Sequence, residues 1–549
     1  MSGNFSYECP LVFACSLLLA NIATAADKPA QSKPSPEAIQ ARNIAEFTPR
    51  FQKYIFSEKT FPSLAKIPQD QPVRPDALKV TFYDRDYHLS DKAEKAGPYG
   101  AVVEFTANGR KFRRFITLYR TAENVAPNAA FDASAPDELA RDLGLAPSAL
   151  RRQSRLIRRY LGRGTFFGWA RQPYYARLLA GLAQDKVKAD EPLHKYDDAF
   201  ALERQWWVGL KRRLYGWDKQ FPRPVDAPRL RAGPLAPVVR EGTPREAGLT
   251  AVSVDKIDKL YQKLAAESAD GFAVCIVRHG VIVLHKAYGT RDGKPMTVTT
   301  PSWMASVTKM LSASLMVMLL DRELVKLNDP IDKFLPPLHG LKIAKPITIH
   351  HLYTHTNGLT LNNWWPEWYD EPTDLEERLA AYYPRVLAGK GYHYNGTGNS
   401  VGSKIVEAVS GEALPRFYHR HLLEPLGCDH TEVTGSHADA YSVPLDMAKV
   451  GQMLLNGGSY GKWEFFRKET FQLMRPHPLT RLGGGARWQG LGLFGDAVRF
   501  LHLGSSGAGV YVDSSADLVT VMMRNRPAKN QDKYDARLRQ LIVAGMIGP

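Results

Sequence analysis

A chain of 549 residues, 44% of them hydrophobic and 23% charged, is long enough for two or more packed domains and has the composition of a globular protein rather than a disordered one. Four cysteines, of which only Cys275 and Cys428 lie beyond residue 15, exclude a disulfide scaffold and predict no bridge. The formal charge is +16, and about three-quarters of the excess lies before residue 245, which suits an anionic surface or polymer as partner of the first half.

Residues 11–25 form an apolar run too short to span a membrane, ending in Ala23-Thr24-Ala25, small residues where a signal peptidase cleaves. Residues 1–25 therefore read as a signal peptide and the protein as exported, periplasmic or secreted. No Lys or Arg precedes the run and Glu8 does, so a plain apolar amino-terminal helix is the competing reading.

Residues 26–215 read as an α+β region of no recognised family. Residues 27–40 are rich in Pro, Ala, Ser and Lys, a leader-like composition. Strand-like alternation begins at Leu78 and continues in 101–120, where Asn108-Gly109 is a hairpin signal. Helical patterns follow at 136–143, 147–161, 166–182 and 199–214. Six arginines between 151 and 163 read as a solvated helix face; an exported protein rarely meets nucleic acid, so an anionic cell-envelope polymer is the better match. Phe166, Phe167, Trp169, Tyr174, Tyr175, Trp206 and Trp207 are explained most simply by packing. Residues 216–244, with six prolines and little periodicity, read as a linker ending near Pro244.

The remainder, 245–549, opens with an amphipathic helix over 252–266 and two strands, 272–277 and 281–287, joined at His279-Gly280. A helix entered at Pro301-Ser302 and running to Asp321 is apolar nearly all round, which marks it as buried. Lys309 is its exceptional charge, and Ser306 lies three residues earlier, a spacing that makes the two neighbours on a helix surface. Desolvation lowers a lysine pKa toward neutrality, so the amine can accept the serine proton while the helix start favours the anion that develops. The tetrad Ser306-Val307-Thr308-Lys309 therefore reads as an activated serine nucleophile.

The stretch SVTKMLSASLMVMLLDRELVKLNDPIDKFLP, followed by ITIHHLYTHTNGL, GNSVGSKIVEAVSGE, MAKVGQMLLNGGSYGKWEFFRKETFQLM and HLGSSGAGVYVDSSADLVTVMMRNRP, resembles the serine hydrolase family of class C β-lactamases, D-stereospecific peptidases and related esterases. The resemblance implies a serine β-lactamase-like/DD-peptidase α/β (α+β) fold: an antiparallel sheet flanked by helices, with a helical subdomain beside it and Ser306 at the junction. The family's Tyr-x-Asn motif falls on Tyr394 in YHYNGTGNS, with Tyr392 as the alternative, and a lysine nearby would favour the phenol's anion. The motif's asparagine position falls on Gly396, so either Asn395 substitutes or that amide is missing. The third motif, Lys-Thr-Gly in the β-lactamases, matches His502-Leu503-Gly504. There the glycine would let substrate approach the strand, and the amides of Ser306 and Ser505 would form the oxyanion hole. An imidazole in place of the ammonium makes carboxylate-bearing β-lactams weaker substrates.

His350, His351 and His355 have a zinc-like spacing without a further ligand nearby, so no metal is expected, and the chemistry needs no cofactor. Trp364, Trp365 and Trp368 lie where the family has a variable loop beside the site; they either line the cleft or pack over the core. The reading is a serine hydrolase acting through an acyl-enzyme on a small-molecule or peptide ester or amide, of carboxylesterase or D-amino-acid peptidase type. Its catalytic set is Ser306, Lys309 and Tyr394, with His502, Gly504, Ser505 and Asn395 binding substrate. The alternative is a degenerate domain whose basic first half binds the envelope.

Overall fold

The structure, a computed structural model, describes residues 79–83, 87, 100–107, 110–117, 198–222 and 230–547, apart from 292, 342–344, 360–374, 383–386 and 434. The expected signal peptide, the helices at 136–182, the arginine run and the tryptophan loop lie outside the described residues.

The chain divides into two compact units, the first holding residues 1–189, 363–367 and 372–382. Its described part includes a three-stranded antiparallel sheet, Lys79–Tyr83, Gly100–Ala107 and Arg110–Thr117. The last two pair in the register a two-residue turn at Asn108-Gly109 demands, Ala107 opposite Arg110. That register sets Glu104 opposite Arg113, and the pair closes at 2.9 Å.

The second unit is built on an eight-stranded antiparallel sheet. Its order is His477–Pro478, Trp488–Gln489, Phe494–Gly495, Arg499–Leu503, Gly509–Asp513, Leu518–Arg524, Phe272–Arg278 and Val281–Tyr288. The last two strands turn at His279 and Gly280, both at positive φ (53° and 72°), the backbone of the tight hairpin expected there. Strands 272–278 and 518–524 are buried at every residue, because helices cover both faces of the sheet. Phe272, Val274, Ile276, Leu518 and Met522 join the helices Ala251–Ala266 and Gln531–Gly545 in one core cluster. On the opposite face Val519 meets the helix Pro444–Leu455 so closely that a Cβ on Gly451 would lie 2.5 Å from its Cγ1. The helix Thr308–Asp321 is buried at all but one of its positions, as its all-round apolar sequence requires. Its entry differs from expectation: Ser302–Trp303 is a short strand paired with Tyr441–Ser442, and a single 3₁₀ turn over Ala305–Val307 leads into the helix. Cys275 and Cys428 are buried free thiols.

The expected boundary near Pro244 is displaced, since the second unit starts at Asp190. The helix Asp198–Leu214 belongs to it because Arg204 Nε donates to Glu407 Oε1 at 2.6 Å. Gln205 also exchanges two bonds with backbone, Nε2 to Gly411 O at 2.7 Å and Ala413 N to Oε1 at 2.8 Å. Trp206 and Trp207 are buried in it. The expected linker is partly structured: Trp217 Nε1 donates to Phe334 O at 2.8 Å, and Arg231–Ala236 pairs with Ser459–Glu464.

Glu407 is wholly interior, and although burial works against its charge, Arg204 and Lys404 hold the carboxyl at about 2, below its ordinary 4.5. A depressed carboxyl contributes stability that is complete above the unfolded pKa and is lost as pH falls through the folded one, here from about 4.5 down to about 2. Arg204→Ala, which strands Glu407 without its first partner, should cost about 3 kcal/mol in denaturant unfolding at neutral pH. A cost below about 0.5 kcal/mol would mean that the ion pair does not hold this helix in place.

Candidate active site

Three segments converge at the start of the helix Thr308–Asp321. Ser306 lies in the 3₁₀ turn, and Ala305 before it is held at φ 47°, a left-handed conformation unusual for a residue with a Cβ. Lys309 is buried, and its Nζ donates to Ser306 Oγ at 3.1 Å and to the carbonyl of His437 at 2.9 Å. Burial lowers the amine from its ordinary 10.5 to about 7, and Asp439 pulls weakly the other way. A hydroxyl and an amine that is substantially neutral at physiological pH therefore share a hydrogen bond.

Tyr394 is the phenol beside this pair. Its ring lies 4.8 Å from Lys309 Nζ, and its side chain hydrogen-bonds Ser306. Tyr392 packs instead under the guanidinium of Arg487, 4.3 Å from the ring centre. Desolvation raises the Tyr394 phenol to about 12, with the bond to Ser306 acting the other way, although the residue keeps 45% of its surface exposed.

Asn395 does not take over the missing motif asparagine. Its Oδ1 accepts from Gly398 N at 3.2 Å and its Nδ2 donates to His393 O at 2.7 Å, so the side chain caps the helix Thr397–Ser410. Gly396 has a separate reason to be glycine. A Cβ there would lie 2.4 Å from Cδ2 and 2.6 Å from Cγ of His437, whose buried ring occupies the space.

The third motif follows the strand Arg499–Leu503. His502 is wholly buried, its Nδ1 is 3.0 Å from Leu503 O, and its Nε2 meets no protein partner. Its ring packs beside Phe494, 4.8 Å away. Burial, then Lys309, lowers its pKa to about 3. Gly504 is required for a reason other than substrate approach: a Cβ would stand 2.2 Å from Met304 O and 3.2 Å from Ala305 Cβ. The strand end is thus pressed against the turn that carries Ser306, and exposed Ser505 follows directly.

Sequence reasoning missed His437, Phe494 and the placement of His355. His355, at φ 56°, lies 4.5 Å from the Tyr394 ring, and burial lowers it well below its ordinary pKa with Lys309 as the next cause. Burial and Lys309 likewise bring His437 to about 3. The zinc-like trio does not converge. The His351 Nδ1 accepts from Thr348 N at 3.1 Å in a capping box, and the His355 Nδ1 accepts from Asn395 N at 3.4 Å. Positive φ at His355 has no signature in the sequence, and His437 belongs to no motif.

The family profile described as Beta-lactamase matches residues 257–544, more than half of the chain, and the chain belongs to that family of hydrolases. It is 30% identical over 225 residues to the esterase EstB of Burkholderia gladioli, covering 36% of this chain and 57% of that protein. It is 29% identical over 185 residues to a teichoic acid D-alanine hydrolase of Staphylococcus aureus, covering 32% of this chain and 43% of that one. The chain thus spans about half the length of the relatives it matches. Among solved structures, a penicillin-binding protein homologue of Caulobacter crescentus aligns with 54% of this chain and 98% of its own at a TM-score of 0.46 and 16% identity. The antiparallel sheet flanked by helices, with the helical region carrying Tyr394, is the β-lactamase-like fold.

Gly504→Ala should force the strand end away from Met304 and Ala305 and destabilise the protein by about 1–3 kcal/mol, as overpacking does. Thermal unfolding would check this, and an unchanged midpoint would mean the close approach is not tight.

Proposed function

We propose that the protein is a serine hydrolase working through an acyl-enzyme, with Ser306 as nucleophile, Lys309 as general base and Tyr394 as proton relay. The observation that carries this reading is the 3.1 Å contact between Ser306 Oγ and a Lys309 amine brought to about 7. Neutral Nζ takes the serine proton as Oγ bonds to the acyl carbon. The backbone amides of Ser306 and Ser505 receive the oxyanion. The bond to the leaving group then breaks, and the proton travels from Nζ through the Tyr394 hydroxyl to that group. Water, deprotonated by the same amine, attacks the Ser306 ester, releases the acid and restores the serine. Because Tyr394 is raised to about 12, it works as a neutral phenol that passes a proton on, while Lys309 is the base.

The substrate in this reading is an uncharged carboxylic ester or a D-amino-acid ester or amide. Two features support it: the family relatives are an esterase and a D-alanine hydrolase, and the strand that would meet a β-lactam carboxylate offers a buried neutral His502 rather than a cation. Export and an anionic envelope polymer as partner of the basic first half belong to the same proposal, motivated by residues 1–25 and the charge asymmetry.

Intact-mass labelling with a fluorophosphonate should give one adduct on the wild type and none on Ser306→Ala; a folded wild type that gives no adduct would sink the proposal and favour the binding-protein alternative. Lys309→Ala should fold normally and lose roughly 10²–10⁴-fold in ester turnover. The base must be deprotonated to act, so turnover should rise with pH through a midpoint near 7. A rate that is flat between pH 6 and 8 would remove Lys309 as the base.

A further inference from the structure

The side chain missing at Gly396 leaves a space that another residue has filled. Three ring atoms of His437 lie 2.4, 2.6 and 3.0 Å from where a Cβ on Gly396 would stand. The ring is also held from a second side, its Nδ1 lying 3.2 Å from Ser400 Oγ on the helix that follows Gly396. It is therefore wedged against the start of the helix Thr397–Ser410, one turn from Tyr394.

The backbone of the same residue reaches the other half of the site. The His437 carbonyl accepts from Lys309 Nζ at 2.9 Å, and the residues after it are laced to the Ser306 turn. Trp303 Nε1 donates to Ala438 O, Met304 N donates to Ala440 O at 2.8 Å, and Ala440 N donates to Thr308 Oγ1 at 3.1 Å. Thr308 Oγ1 in turn donates to Ala305 O at 2.7 Å. Segment 437–440 thus runs from the Tyr394 loop to the Ser306 turn, and its first carbonyl aims the amine.

We infer that His437 is a positioning residue: its ring, seated in the space that only glycine at 396 leaves open, fixes the carbonyl that orients Lys309 Nζ toward Ser306. The inference rests on the hydrolase reading for its functional meaning, but its physical content, a link from Gly396 through His437 to Lys309, stands independently of turnover. It also accounts for the departure of YHYNGTGNS from the Tyr-x-Asn pattern. Residue 396 contributes no side chain because the volume belongs to a histidine 41 positions later in the chain.

The test reads Lys309 directly. Competitive acetylation with acetic anhydride across pH, followed by peptide mass spectrometry, gives the ionisation midpoint of this one amine in the full-length folded protein. The charged and titratable groups around it are Asp439, His355, His502, His437 and Tyr394, and Gly396→Ala removes none of them and displaces only the His437 ring. That variant should push the ring out, withdraw the carbonyl that favours the ammonium, and lower the Lys309 midpoint by half a pH unit or more, about a threefold change in the ammonium-to-amine ratio. His437→Ala should lower it by a smaller amount. Gly396→Ala/His437→Ala should then match His437→Ala rather than Gly396→Ala, because the clash needs the ring. Fluorophosphonate labelling rates should follow the same order, with the double variant faster than Gly396→Ala. An unchanged or raised midpoint in Gly396→Ala, or a double variant no better than it, overturns the inference. Should Gly396→Ala not fold, an unchanged midpoint in His437→Ala overturns it alone. Failure of the hydrolase reading looks different: the wild type takes no fluorophosphonate while the midpoints still move.

Discussion

The site depends on the burial of one amine. An ammonium in a helix with no other charge before its last residue is costly, and the fold answers by making the neutral form nearly as favourable as the charged one. Everything in contact with Lys309 is consistent with that state. The carbonyl of His437 and the hydroxyl of Ser306 are its hydrogen-bond partners, and the carboxylate that acts on it, Asp439, only moderates the shift. The surrounding imidazoles of His355, His437 and His502 are all interior and all held deprotonated. Near neutral pH, Lys309 is thus the member of this cluster whose charge changes.

In the proposed mechanism this arrangement bears on where the serine proton goes. The lysine and the Tyr394 phenol are separated by about five pH units in acidity, with the phenol the weaker acid. A phenolate beside the ammonium would take back its proton, so in the proposed mechanism the serine proton goes to nitrogen. The proximity of a lysine suggests an acidified tyrosine when only the sequence is in view. Burial of Lys309 weakens that suggestion, because an amine brought to about 7 carries less of the charge that would have stabilised the phenolate.

What was legible in the sequence is what is local. Ser306 and Lys309 are three residues apart, His279-Gly280 and Asn108-Gly109 sit between alternating strands, and the buried helix is apolar throughout; each follows from a period or turn rule acting over a few residues. What was not legible depends on contacts between distant segments. The His437 ring in the space at Gly396, the Met304 carbonyl against Gly504, and Asn395 turned into a helix cap cannot be read from spacing. Gly396 looked like a lost function and Gly504 like room for substrate. In both cases the glycine is there because another part of the protein already occupies the volume.

The domain boundary illustrates the same limit and adds a structural consequence. Proline density suggested a free linker before 245, yet Arg231–Ala236 pairs with Ser459–Glu464, and Asp198–Leu214 lies against the helix whose first turn follows Tyr394. Proline is compatible with such an edge strand because a donor facing away from the ladder is not needed. Arg204 reaches Glu407 near the far end of that helix, while Asn395 caps its near end. The helix is thereby fixed at both ends, by a residue outside the family match and by one within the tyrosine motif. In the proposed hydrolase that helix anchors the loop carrying the relay phenol, so Arg204, upstream of the residues 257–544 that match the family, would contribute to the precision of the site.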